Sequence, residues 1–193
     1  LHKAIRRQRQ MCIRDRYYTG MRIGELQALT ASDVDTEAGT ITISKTYHRK
    51  YGVEMITTPK TPKANRTITI PKFLCAALQE YINKIYQPDA DTRIFPYSHS
   101  CYTDAFRSHT KKAGVKPIRL HGLRHSHASL LIELGFSVLL ISERLGHENV
   151  STTLNIYAHL FPSKQSEVAE KLDLLQTKSV SYTHLTLPTN SLV

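Results

Sequence analysis

Between Gly39 and Pro71 the sequence carries three runs rich in β-branched residues, GTITISKTY, GVEMITT and RTITIP, each partly alternating and each bounded by turn-forming or polar residues. That patterning predicts three short strands of an antiparallel sheet. The link between the second and third runs, PKTPKAN, reads as an exposed basic hairpin. On either side the periodicity is helical. Phe73, Leu74, Ala77, Leu78, Tyr81, Ile82 and Ile85 recur at helical spacing over Lys72–Tyr86, and QPDADT then reads as a loop. Further helices are predicted from about Tyr102 to Ala113, through RLHGLRHSHASLLIELG to Gly135, through SVLLISERLG to Gly146, and from a Ser151 cap through TTLNIYAHL to a stop at Pro162. Upstream, TGMRIGELQALT reads as a short helix carrying Ile23, Leu26, Ala28 and Leu29. Downstream, KQSEVAEKLDLL puts Val168, Leu172 and Leu175 on one helical face, which could pack on its own domain or on a neighbouring protomer. The expected class is α+β, mainly helical, with a small three-stranded antiparallel sheet.

The 193 residues, 40% of them hydrophobic, suffice for one well-buried domain with at most a small appendage. The longest apolar region, around Leu130–Leu140, is interrupted by Glu133, Gly135 and Ser137, and no signal peptide opens the sequence, so a cytoplasmic protein is expected. Cys12, Cys75 and Cys101 have neither the count nor the spacing of a disulfide framework or zinc knuckle. The formal charge of +10 suggests a polyanionic partner, but part of it comes from segments that look foreign. MCIRDR, residues 11–16, is encoded by ATG TGT ATA AGA GAC followed by AGA or AGG. The opposite strand of that DNA contains GTC TCT TAT ACA CAT, which encodes Val-Ser-Tyr-Thr-His, the residues at 180–184. One short DNA sequence in two orientations thus accounts for both peptides, and it resembles a transposon-end adapter used in sequencing libraries. Residues 1–16 and 180–193 are therefore set outside the domain expected over 17–179. Residues 17–179 hold 20 Lys and Arg against 15 Asp and Glu, and 20 − 15 leaves +5, a mildly basic domain.

His121 and Arg124 stand three apart at a helix start, share a face and point to the N-terminus, where backbone N–H groups favour an anion. Arg22 opens another helical stretch, with Glu25 one turn later to orient it. Each signal is weak alone. The histidines of HGLRHSH offer His121 and His125 at i, i+4, but His127 lies on another face and no cysteine or carboxylate at standard spacing completes a zinc set. A G-x-S-x-G serine nucleophile is absent from the sequence.

TGMRIGEL, TPKTPKANRTITI, HGLRHSHAS, LGH and STTLNIYAHL occur in the order, and at about the separations, seen in the catalytic domain of tyrosine recombinases, and look most like phage-type and conjugative-transposon integrases. The resemblance covers about Tyr17–Leu175. It implies a tyrosine recombinase catalytic domain for 17–179, and a site-specific recombinase that cleaves and rejoins DNA through a 3′-phosphotyrosine during integration or excision of mobile DNA. It implies no metal and no ATP, because the covalent intermediate conserves the bond energy. Tyr157 takes the place of the nucleophile. Arg22 and Arg124 take the places that grip the nonbridging oxygens, a task suited to the guanidinium fork. His121 matches the general acid/base, His147 the second phosphate-side donor, and Lys60 the lysine that protonates the departing 5′ oxygen, with Lys63 near enough to exchange with it. Glu25 supports Arg22. His125 is expected to be structural or a contact to the DNA backbone, and His159 a surface residue. Lys45, Arg49, Lys50, Lys111, Lys112 and Arg119 are solvated charges, some of which should meet phosphates.

As partners the resemblance implies double-stranded DNA attachment sites, a homotetramer on DNA that exchanges the C-terminal helix through Val168, Leu172 and Leu175, and accessory proteins that bend the DNA. Family members also carry an N-terminal DNA-clamping domain, often with a small arm-binding domain, neither of which the sequence shows, so weak DNA binding is expected. A type IB topoisomerase shares the chemistry, but the LGH-to-Tyr157 spacing and STT favour an integrase. A noncatalytic DNA-binding relative or a truncated, dead fragment is the alternative from a different class; the complete set of six argues against decay of the site, though not against loss of the clamp.

Overall fold

Strand alternation decides where the sheet lies. In the computed structural model, which describes residues 2–59, 61–85, 91–161, 168–170 and 172–174, with side chains from residue 11 onward, β1 (Val34–Asp35), β2 (Thr40–Ile43) and β5 (Arg66–Thr69) form an antiparallel sheet in the order β1-β2-β5. Ile41 pairs with Ile68 and both face the core, while Thr42 and Thr67 pair on the solvent face with their hydroxyls 3.3 Å apart. This is the period-2 division that one buried face imposes.

β3 (Thr46–Lys50) and β4 (Val53–Thr57) form a separate two-stranded ribbon, largely exposed. The three-strand expectation therefore needs correction in its membership. The run GTITISKTY is two strands, broken at Ser44-Lys45, and the sheet's third strand is the two-residue Val34–Asp35. The physical reason is that the alternation of core-facing apolar residues lapses after Ile43, leaving Tyr47 as the one buried side chain of β3. Lys45 is then fixed between Thr30 Oγ1 at 2.9 Å and Asp33 Oδ2 at 2.8 Å, and the chain beyond has no continuous apolar face to bury. PKTPKAN is consequently not a hairpin turn. It joins the ribbon to the sheet through a 3-10 turn at Pro62–Ala64, with Ala64 buried.

Around the sheet stand α1 (His2–Thr19), α2 (Ile23–Ala28), α3 (Lys72–Ile82), α4 (His99–Lys112), α5 (Gly122–Glu133), α6 (Val138–Leu145) and α7 (Val150–Tyr157). The core gathers Leu26, Ile41, Ile68, Leu74, Phe95 and Tyr102, each buried, and such a side chain contributes about 1.5–3 kcal/mol on leaving water. α4 starts three residues earlier than the hydrophobic pattern suggested, because Ser98 caps it by accepting from the Cys101 N–H. Asn149, not Ser151, occupies the N-cap position of α7, which continues as a 3-10 turn at Ala158–Leu160.

α1 runs without a break through residues 11–16. Cys12 is fully buried, and Met11, Ile13, Tyr17 and Tyr18 pack on the core. Of the six buried side-chain polar atoms without a hydrogen-bond partner among the described residues, four belong to residues 14–16: Arg14 Nε, both Asp15 carboxylate oxygens and Arg16 Nη1. Burial pushes the Asp15 carboxyl up to about 8, against a smaller opposing pull from Arg14.

Residues through Leu160 form one unit and 161–193 a second. In the second, residues 168–170 and 172–174 are helical, with Val168 and Leu172 exposed, and Leu175 lies outside the described residues.

Candidate active site

The site is organised by the C-terminal end of α6. Gly146, in the left-handed conformation at φ +66, lets the chain turn back so that its own N–H reaches the Glu143 carbonyl and the His147 N–H reaches that of Ser142. The next three carbonyls each receive a guanidinium. Arg66 Nε donates to Arg144 O at 2.8 Å, Arg124 Nη2 to Leu145 O at 2.6 Å, and Arg22 Nη2 to Gly146 O at 3.2 Å. A helix C-terminus carries a partial negative charge and carbonyls with no partner inside the helix, so it suits cations. Here one helix end fixes three arginines, drawn from the N-cap of α2, from α5 and from β5.

Glu25 fixes two of them from the opposite side. The Arg22 N–H donates to its Oε2 at 2.8 Å and Arg22 Nη1 to its Oε1 at 2.8 Å, the backbone half being the reach-back bond of a helix start. Arg66 donates Nη1 to Oε1 at 3.2 Å and Nη2 to Oε2 at 3.0 Å. Burial alone would raise the Glu25 carboxyl, but the Arg66 hydrogen bonds and charge, with Arg22, more than cancel it and hold the group below its ordinary value. Arg124, 3% exposed, is held further by a 2.6 Å bond from Nη1 to Gly20 O. Burial and the charge of Arg22 bring it down to about 9, so it is a cation at neutral pH.

Three histidines and a tyrosine face this cluster. His147 is placed by the turn after Gly146, and its Nδ1 lies 2.8 Å from the Thr153 hydroxyl of α7. Burial and the charges of Arg124, Arg22 and Arg66 lower it to about 4, leaving the imidazole neutral. His121, just before α5, is lowered by burial and then by His125 and the nearby arginines. Its ring meets that of His125 edge-on at 4.9 Å between centroids. His125 in turn reaches α7, with Nδ1 2.6 Å from the Tyr157 hydroxyl. Tyr157 is 4% exposed, and burial raises its hydroxyl above the ordinary value while the charge of Arg124 opposes that rise.

Five of the six residues nominated from the sequence, Arg22, His121, Arg124, His147 and Tyr157, thus come from four separated segments into one interacting cluster, with Glu25 behind Arg22. Lys60 lies outside the described residues. Lys63 donates to the carbonyl of Glu148 at 2.8 Å, beside His147. His159 is exposed, and His127 faces away from the cluster, its Nε2 accepting from Arg144 Nε at 3.1 Å. Sequence reasoning missed Arg66, Thr153 and the contact of His125 with Tyr157. Arg66 opens a strand and carries no local signal beyond its charge. The spacing of six between His147 and Thr153 would have been informative only with the turn after Gly146 already known.

The Phage integrase family matches residues 3–164. The ICEBs1 integrase of Bacillus subtilis is 37% identical over 170 residues, covering 81% of this chain and 46% of that protein. The integrase of Staphylococcus phage L54a is 34% identical over 174 residues, covering 81% and 49%. The chain spans about half the length of these curated relatives. Among solved structures, the Tn1549 transposon integrase in complex with circular intermediate DNA superposes with a TM-score of 0.70 at 24% identity, covering 86% of this chain and 59% of that one. The catalytic domain of bacteriophage HP1 integrase gives 0.57 at 23% identity, covering 93% and 97%. These two likenesses concern the fold, which is that of a tyrosine recombinase catalytic domain. By the family match over residues 3–164 and the identity to the Bacillus subtilis integrase, the chain belongs to the phage integrase family of tyrosine recombinases.

Proposed function

We propose that this chain is the catalytic part of a site-specific DNA recombinase that cleaves and rejoins strands through a phosphodiester bond to Tyr157, for integration or excision of a mobile element. One observation carries the reading: three guanidiniums, from Arg22, Arg66 and Arg124, stand against one carboxylate, Glu25, in the cluster that holds Tyr157. That excess of positive charge suits the negative charge that builds on a pentacoordinate phosphorus. A guanidinium has five N–H groups; Arg22 and Arg124 each use two on Nη1 and Nη2 to fix themselves to the protein, and the remainder can meet nonbridging oxygens. Donors fixed in advance need no reorganisation as charge develops, which makes such electrostatic stabilisation effective. An arginine of this kind is worth roughly 10³–10⁵ in rate in related phosphoryl transfers. His147, neutral and oriented by Thr153, would donate a further hydrogen bond, and His121 would handle protons at the rim. Lys60 is proposed, by resemblance, to protonate the leaving 5′ oxygen.

The relatives' names speak of integrases, and the Tn1549 structure contains DNA, which supports double-stranded attachment sites as the substrate here. Assembly as a homotetramer with exchange of the C-terminal helix is part of the same proposal. Leu139 and Leu140 of α6, and Leu154 and Ile156 of α7, are exposed apolar side chains suited to receive Val168, Leu172 and Leu175 from another copy. Accessory DNA-bending proteins, and a location with the chromosome in the cytoplasm, belong to this reading too.

The test uses a plasmid bearing two direct copies of the junction between the element and its host chromosome, incubated with the full-length protein in EDTA and without ATP. Excision to two circles is expected. Relaxation without excision would support a type IB topoisomerase instead, and binding without any strand cleavage would support a noncatalytic relative.

A further inference from the structure

We infer that His125 is a catalytic residue, the base that takes the proton of Tyr157 as its oxygen attacks phosphorus. The inference rests on the proposed strand-cleavage reading and assigns a proton path within it. The family resemblance left His125 as a structural or backbone-contacting residue and gave acid/base work to His121. The geometry divides the task differently. The ring that meets the Tyr157 hydroxyl is that of His125, with Nδ1 2.6 Å from Oη, and His121 stands one step further out, edge-on against His125. A base must lie within about 2.6–3.2 Å of the atom whose proton it removes, and His125 Nδ1 meets that requirement.

The fold fixes this pair firmly. His125 lies one turn into α5, one residue after Arg124, so the same helical segment places a phosphate-gripping guanidinium and the tyrosine's partner side by side. Tyr157 closes α7, whose first turns are tied to the site by Thr153 on His147. The nucleophile and its base are therefore held from two helices and contact each other across 32 residues of sequence. Burial makes the tyrosine a reluctant acid, the situation in which an adjacent base activates a nucleophile.

In the step proposed, neutral His125 with its proton on Nε2 accepts at Nδ1. The Oη–H proton passes to Nδ1 as the Oη–P bond forms and the P–O5′ bond breaks, and the 5′ oxygen takes a proton from a separate donor on its own side. In the reverse step the donor on the 5′ side, now deprotonated, takes the proton of the 5′ hydroxyl as its oxygen attacks phosphorus, and the imidazolium returns its proton to Oη as the phosphotyrosine bond breaks. Charge and protons balance in both directions, and one imidazole serves cleavage and rejoining.

The test is the rate of covalent adduct formation by the full-length protein on a duplex spanning the element–chromosome junction, with a 5′-bridging phosphorothiolate at the scissile position. The sulfur leaving group needs no proton, so the rate reports on activation of the tyrosine. His125→Ala and His125→Gln are each expected to lower it about 10²–10⁴-fold. Glutamine can hold the hydroxyl but cannot take its proton, so wild-type rate in His125→Gln would overturn the inference, as would unchanged or faster reaction in His125→Ala. Nitrogen NMR of histidine-labelled protein checks the contact without DNA: Tyr157→Phe should shift the His125 Nδ1 resonance, and an unmoved resonance would overturn the assignment. Absence of any adduct in the wild-type protein, on a junction it binds, would instead remove the strand-cleavage reading on which the inference depends.

Discussion

Glu25 is the position where one atom exchanged for another should cost most. Its carboxylate accepts four hydrogen bonds, two from Arg22 and two from Arg66, and the side chains of Glu25 and Arg66 are 3% and 6% exposed. In Glu25→Gln the amide keeps the shape but offers one acceptor oxygen, and its NH₂ group faces a guanidinium. Breaking a buried ion pair by removing one partner costs about 3–5 kcal/mol, chiefly because the other charge stays buried. For a chain of this size 1 kcal/mol moves the melting temperature by about 2–4 °C, so a loss of roughly 6–20 °C is expected in scanning calorimetry at pH 7. A second substitution separates pair from packing. Glu25→Leu with Arg66→Met removes both charges and should recover most of the loss, whereas either change alone should not. Acid should mimic the single variant, because the folded-state carboxyl titrates below its ordinary 4.5. Its contribution is present above that value and is lost as pH falls through the lower folded value. A Glu25→Gln protein within 1 kcal/mol of the parent, or a double variant as unstable as the sum of the singles, would refute the reasoning.

Asp15 should behave in the opposite sense. Its folded value of about 8 lies above its ordinary 3.8, so the folded state holds the proton more tightly and stability falls as pH rises between those values. At about 1.4 kcal/mol per unit the penalty reaches roughly 4 kcal/mol by pH 7. Asp15→Leu should therefore raise the melting temperature more at pH 8 than at pH 5, and an equal gain at both would contradict a buried unpaired carboxylate. Gly146→Ala should lose about 1–2 kcal/mol from the left-handed backbone alone. Its Cβ would also lie 2.7 Å from Arg66 Nη1, so DNA cleavage should fall with stability, and a variant of parental stability and rate would show that the turn tolerates a side chain.

Helix ends marked by local chemistry were legible in the sequence. Gly135 and Gly146 stop α5 and α6 because both adopt positive φ, which favours glycine. The break between β2 and β3 was hidden, because β-branched residues continue past Ile43 and only the loss of a buried face ends the strand. Val34–Asp35 is too short to leave a signal of its own. Within the site, Arg22, Arg124, His147 and Tyr157 were legible as members of ordered motifs, although their convergence on one helix end was not. Arg66 was invisible because its partners, at positions 25 and 144, are remote in sequence, and the same is true of His125 and Tyr157. For residues 11–13 the sequence reading rested on codons alone, whereas in the fold Met11, Cys12 and Ile13 are part of α1 and pack in or on the core.

The central claim is that Tyr157 carries the DNA. The most direct measurement is to trap the full-length protein on a nicked duplex of the element–chromosome junction, digest the DNA with nuclease, cleave with trypsin and locate the added nucleotide by mass spectrometry. The peptide from Leu145 to Lys164 contains Tyr157 as its single tyrosine. A 3′-nucleotide on Tyr157, absent in Tyr157→Phe, is the expected result; a nucleotide on any other side chain, or an adduct that survives in Tyr157→Phe, would contradict it.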